Sequence, residues 1–239
     1  MNLKVRLAIK EIDSVGIQHS DGGRLAAEYL LSQRAETFCY FGLEQDEKFI
    51  GFKETLLQNG ISEKEIQIIG NQDWYFNSIK TGAMILRNYI RNNIGNKKTG
   101  LFCVNDLYAT HALSEAHDNG INVPEQLSIV GFDDTMLCDI SYPKLTSIHQ
   151  PLEEIAKIAF ELLLHRINSD SKCEPEVITL SPTINIHNLK PSTTMLLLAL
   201  LEAAGIAKLG ISLGAFPDSE WCPPARCRLP FSSPESVRR

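Results

Sequence analysis

Residues 101–134 read LFCVNDLYATHALSEAHDNGINVPEQLSIVGFDD. The opening LFCV is apolar at every position and passes straight into Asn105-Asp106. The closing LSIVGF is nearly as apolar and passes into Asp133-Asp134. A run without polar alternation is a strand covered on both faces, the habit of parallel sheets. Residues 107–118 place apolar residues at helical spacing and stop at Asn119-Gly120, a helix terminator. The stretch therefore predicts strand (100–104), helix (107–118) and strand (127–132), with both polar turns at the same end of a sheet.

The same alternation extends in both directions. Residues 14–18 read as a strand, and 22–33 as a helix with Asp21 at its N-cap. Residues 37–41 (TFCYF) read as a strand and 47–58 as a helix ended by Asn59-Gly60. Residues 66–69 (IQII) read as a strand and 77–92 as a helix. Residues 151–167 read as a helix with Pro151 in its first turn, and 177–180 and 183–186 as late strands. Alternation of this kind predicts an α/β protein with parallel sheets covered by helices. Ligands in such proteins bind outside the carboxyl ends of the strands. Three places qualify: the loop after Phe41, the Asn105-Asp106 turn and the Asp133-Asp134 turn.

Composition narrows the function. Of 239 residues, 44% are hydrophobic and 22% charged, which excludes wholesale disorder and coiled coil. The net charge of −6 argues against a broad basic face for nucleic acid. The apolar run 195–201 stops at Glu202, short of a membrane helix, and the N-terminus lacks the apolar core of a signal peptide. Cysteines at 39, 103, 138, 173, 222 and 227 lie mostly in apolar runs, so reduced thiols in the cytoplasm are expected. No HExxH, GxSxG, Walker or GxGxxG pattern occurs, and the Cys222/Cys227 pair has no second ligand pair nearby. No catalytic residue, metal site or cofactor is predicted.

Four positions stand out as ligand contacts, each with a plainer role beside it. Asn105 can hydrogen-bond ligand hydroxyls or cap the following helix. Asp133 can accept from two sugar hydroxyls or shape a turn. Trp74 can stack on a ring or pack as a half-buried aromatic. Lys48, close to Asp46 at a helix start, can bind a polar ligand or sit as a solvated charge.

Together these residues resemble the effector-binding domain of the LacI/GalR family of bacterial transcription repressors. The resemblance is carried by SVGIQHSDGGRLAAEYLLSQ (14–33), residues 101–134, YPKLTSIHQPLEEIAKIAFELLLHRI (142–167) and ITLSPTINIHNLKPST (178–193). It implies a periplasmic-binding-protein-like fold: two doubly wound parallel-sheet lobes with a small molecule between them. It implies ligand contacts at Lys48, Trp74, Asn105, Asp133 and Gln150, the last at a lobe crossover. It implies a sugar or nucleoside effector, control of DNA binding, and a homodimer of the full-length protein. A periplasmic-type sugar-binding transport protein is the alternative on the same fold. Lys48 departs from the arginine that many members carry, and lysine cannot make the same two-pronged contact.

The resemblance also implies a division of the chain. Residues 1–42 form an incomplete first lobe, 43–141 the second lobe, 142–176 a crossover and helix returning to the first, and 177–194 the closing strands. Met1–Asp13 is too short for a helix-turn-helix, so DNA is expected only through a reader absent from this chain. The incomplete lobe is expected to show an uncovered sheet edge and exposed apolar surface. Residues 195–239 hold 5 of the 11 prolines and read as a C-terminal extension, one helix (195–209) and then an irregular tail.

Overall fold

The computed structural model describes residues 12–70, 78–168 and 174–187. All belong to the first of the two units into which the chain divides, Met1–Lys190. The elements are β1 (Ser14–Ile17), α1 (His19–Ser32), β2 (Thr37–Phe41), α2 (Glu47–Gln58), β3 (Ile66–Ile69) and α3 (Ile79–Asn93). They continue with β4 (Thr99–Cys103), α4 (Asp106–Asp118), β5 (Leu127–Asp133), α5 (Leu137–Ile140), β6 (Thr146–His149), α6 (Leu152–Asn168), β7 (Val177–Leu180) and β8 (Thr183–Asn185).

The strands form two sheets. The larger has the order β3-β2-β4-β5-β6-β8, parallel except for β8, and the smaller pairs β1 with β7 in parallel. In β2, Phe38 and Tyr40 face Phe52 and Phe49 of α2, while Cys39 and Phe41 face Tyr89 of α3 and Tyr108 of α4. Helices thus cover both faces, which is why β2 and β4 could be apolar at nearly every position. The core runs through Phe38, Tyr40, Phe52, Phe102 and Phe132, all fully buried.

Glycines set the spacing of α1 on α2. A Cβ on Gly23 would collide with the backbone carbonyl of Lys48, and one on Gly51 with that of Ser20. The two helix backbones therefore touch directly.

Strand pairing redraws the expected division. β2 falls in the segment 1–42 expected to form the incomplete lobe, but it pairs with β3 and β4 in the larger sheet. β6 and β8, beyond the expected boundary at 141, join that sheet too. The reason is burial: β2 is apolar on both faces and needs a central place. β1, β7 and α6 remain as the smaller body.

Helix starts differ from expectation where caps decide them. Helix α1 begins at His19, so Asp21 lies in its first turn and pairs with Arg24 at 3.7 Å instead of capping. Ser78 accepts from the Thr81 amide and starts α3 at Ile79, while the expected first residue, 77, lies outside the described residues. Helix α6 starts after Pro151, whose carbonyl accepts from Ile155. The short α5 had no expectation. The expected helix and tail of 195–239 lie outside the described residues.

Candidate functional site

Strands β2, β4, β5 and β6 all deliver their carboxyl ends to one edge of the larger sheet. Helices α2 and α4 begin there. Asp46 caps α2 by accepting from the Lys48 amide, and Asn105 caps α4 by accepting from the Tyr108 amide at 3.1 Å.

Lys48 reaches across this edge. Its Nζ donates to the Val104 carbonyl at 2.9 Å and sits 3.7 Å from the centroid of the Phe132 ring. Burial lowers its pKa, against the pull of Asp46, Asp133 and Asp106. Asp133 ends β5 and accepts from Gln150 Nε2 at 2.6 Å. Burial raises its pKa, opposed by Lys48 and Gln150. A half-buried cation and a half-buried carboxylate thus moderate each other at one edge.

The turn carrying Asp133 is strained and held. Asp133 and Asp134 have φ of 100° and 52°, the left-handed region that non-glycine residues avoid. Such residues cost on the order of 1–3 kcal/mol each and persist only where their surroundings fix them. Here the fixing group is Asp106, 1% exposed. Its carboxylate accepts from the Thr135 amide at 2.6 Å and from Ser147 Oγ at 2.5 Å, and Ser147 Oγ accepts from the Asp134 amide at 3.2 Å.

Asp134 points the other way. It accepts from Asn185 Nδ2 at 2.5 Å and lies 2.9 Å from both His149 Nδ1 and His187 Nε2. Burial works against its charge, but the hydrogen bonds from His187, Asn185 and His149 win and hold it below the usual carboxylate range. Burial, with Asp106 beside it, pushes the nearby Cys138 thiol up to about 12.

The structure thus brings Lys48, Asn105, Asp133 and Gln150 to one edge. Trp74 lies outside the described residues. Sequence reasoning placed Asp106 and Asp134 in its candidate turns but missed their partners, Ser147, His149, Asn185 and His187, and missed the contact of Lys48 with Phe132. Asp106 was legible as the second half of the Asn105-Asp106 turn, but its partners are 29 and 41 residues away. A hollow of about 230 Å³ between Tyr29, Pro124, Lys144 and Thr146 lies at the opposite, amino end of the strands, away from these groups.

The model of the periplasmic binding protein-like domain matches residues 27–187. The chain belongs to that family. Its relatives are regulators of the LacI type. It is 32% identical over 183 residues to the HTH-type transcriptional repressor PurR of Vibrio parahaemolyticus, covering 74% of this chain and 52% of the relative. It is 31% identical over 173 residues to catabolite control protein A of Staphylococcus epidermidis, covering 70% and 50%. The chain spans about half the length of these curated relatives. Among solved structures it resembles a LacI family transcriptional regulator from Enterococcus faecium with bound ribose, at 28% identity and a TM-score of 0.63, covering 73% of this chain and 64% of that one. It also resembles the transcriptional regulator CelR in complex with cellobiose, at 25% identity and a TM-score of 0.61, covering 74% and 54%. Among the described residues no helix is long and apolar enough to cross a membrane.

Proposed function

We propose that this chain senses a small polyhydroxylated molecule, of the sugar or nucleoside class, for a LacI-type transcriptional regulator. The observation that carries the reading is the convergence of Lys48, Asp133 and Gln150 beside Asn105, at the carboxyl ends of parallel strands. Asp133 accepts from ligand hydroxyls, Lys48 donates from the floor, and Gln150 gives up its bond to Asp133 to do either. The groups gathered there suit binding of hydroxyls, and the reading assigns the chain no covalent chemistry. Sugars bound in two similar regulators, and the regulator identity of the relatives, favour a sensor over a transport carrier.

The effector favours one arrangement of the sensor over another by its differential affinity, and an attached reader alters its hold on DNA accordingly. The full-length protein works as a cytoplasmic homodimer, away from membranes. Calorimetric titration of the whole chain with ribose, cellobiose and adenosine tests the binding step. One of them should give saturable heat, and Asp133→Asn should weaken it at least tenfold, the scale of a lost charged hydrogen bond, without shifting the thermal midpoint. Silence from all three in a cooperatively unfolding chain, or unchanged affinity in the variant, overturns the reading.

A further inference from the structure

Four side chains unused by the effector reading meet beyond the end of β5. Asp134 comes from the β5 turn, Cys138 from α5, His149 from the end of β6 and His187 from just after β8. Asp134, Cys138 and His187 each bring one donor atom within 4.8 Å of the others. His187 Nε2 is 2.9 Å from Asp134 Oδ1, and His149 Nδ1 is 2.9 Å from Asp134 Oδ2.

These spacings suit a small ion. Tetrahedral zinc, with bonds of about 2.0–2.3 Å, holds its donors roughly 3.3–3.7 Å apart. The His187–Asp134 contact of 2.9 Å lies just below that range, and all three donors lie within 4.8 Å of one another. One carboxylate oxygen, one sulfur and imidazole nitrogen form a set that borderline-soft dications prefer to calcium or magnesium. Charge balances as well, since a carboxylate and a thiolate together offset a dication. Cys138 is fully buried, while Asp134 and His187 are half-buried.

The surroundings are a second, separate observation. His187 presents Nε2 to Asp134 and its other ring nitrogen, Nδ1, to Asp139 Oδ1 at 3.6 Å. At that distance Asp139 is a neighbouring charge beyond hydrogen-bond range, on the nitrogen that would face away from an ion. Asn185 Nδ2 fixes the Asp134 carboxylate from outside.

We infer that Asp134, Cys138 and His187 bind one divalent transition-metal ion of the zinc class, with His149 holding the second oxygen of Asp134. On binding, the sulfur–metal bond forms, the S–H bond of Cys138 breaks and its proton passes to solvent. No electron changes hands. The ion links the chain after β8 to the turn that carries Asp133. The inference stands whether or not the effector reading does.

These side chains also satisfy one another by hydrogen bonds, so the test reads metal–sulfur bonding. The probe is Co²⁺ added to the full chain carrying Cys173→Ser, Cys222→Ser and Cys227→Ser. The expected result is one equivalent bound, with a sulfur-to-cobalt band in the near ultraviolet and tetrahedral bands in the visible, both removed by Zn²⁺. Adding Cys138→Ala should abolish the near-ultraviolet band. Should that buried change unfold the chain, His187→Gln is the second arm, keeping the band but weakening binding at least tenfold. A folded chain giving no such band overturns the inference. So does a band that survives Cys138→Ala, or an affinity untouched by His187→Gln.

Discussion

The larger and smaller sheets are built from the same kinds of segment and end in opposite conditions. In the larger, β2 and β4 are buried almost throughout and the helices lie on both faces. In the smaller, β7 alternates exposed and half-buried residues, and α6 has no buried residue at all. Helix α6 instead exposes Leu152, Phe160, Leu163 and Ile167, each by 55% or more. The difference teaches that strand–helix alternation gives the fold its plan, whereas stability comes from how many faces are closed. What fastens the smaller body is polar. Arg166 grips Asp13 with two hydrogen bonds, of 2.7 and 2.6 Å, and the Glu176 amide donates to the same carboxylate.

Substitutions can break this contrast or sharpen it. The largest effect belongs to Phe102→Ala, which empties the centre of the larger sheet. A loss of about 3–5 kcal/mol in urea unfolding is expected for a buried phenylalanine. Next is Gly23→Ala, where the new methyl meets backbone that cannot turn aside. A loss of about 1–3 kcal/mol is expected from overpacking, measured the same way. Asp106→Asn keeps the shape but gives up charged acceptors for Ser147 and Thr135, at about 1–3 kcal/mol.

The carboxylate of the smaller body answers differently. The Arg166 hydrogen bonds hold Asp13 below its ordinary value of 3.8. A lowered carboxyl stabilises the folded state fully above its unfolded pKa and loses that contribution as pH falls through the folded value. Asp13→Asn should therefore speed proteolysis around β1 and β7 at neutral pH, and the two proteins should converge in acid. A gap that persists undiminished as the pH falls would show that the contact is steric. Phe160→Ala should matter least, within about 0.5 kcal/mol for an exposed site. A loss as large as that of Phe102→Ala would mean that α6 is covered in solution.

Much of this was legible in the sequence. The strands 37–41, 66–69 and 177–180 and the helix 47–58 stand where apolar runs and their stops put them. Those signals are local, set by the residues themselves. The edge that gathers Lys48, Asn105, Asp133 and Gln150 was also readable, because the carboxyl-end rule needs only strand direction. What was not readable depends on distant pairing. β2 reads equally well as part of either body until its neighbours are known. Asp106 looks like any acid in a first helical turn until Ser147 and the Thr135 amide arrive beside it. The Asp134–His187 contact spans 53 residues and follows no spacing rule.

The glycine contact between α1 and α2 has a mechanical side. Ordinary helix pairs are cushioned by a layer of side chains that can re-rotate. Here the carbonyls of Ser20 and Lys48 each face an opposing glycine, with no side chain between to yield. The carbonyl of Lys48, at the sheet edge, and that of Ser20 are thus held at fixed spacing by direct backbone contact. Ser20 lies three residues past Ile17, where β1 ends. The same two missing methyl groups that let the helices close up thus set how near the start of α1, just after β1, lies to the edge that carries Lys48.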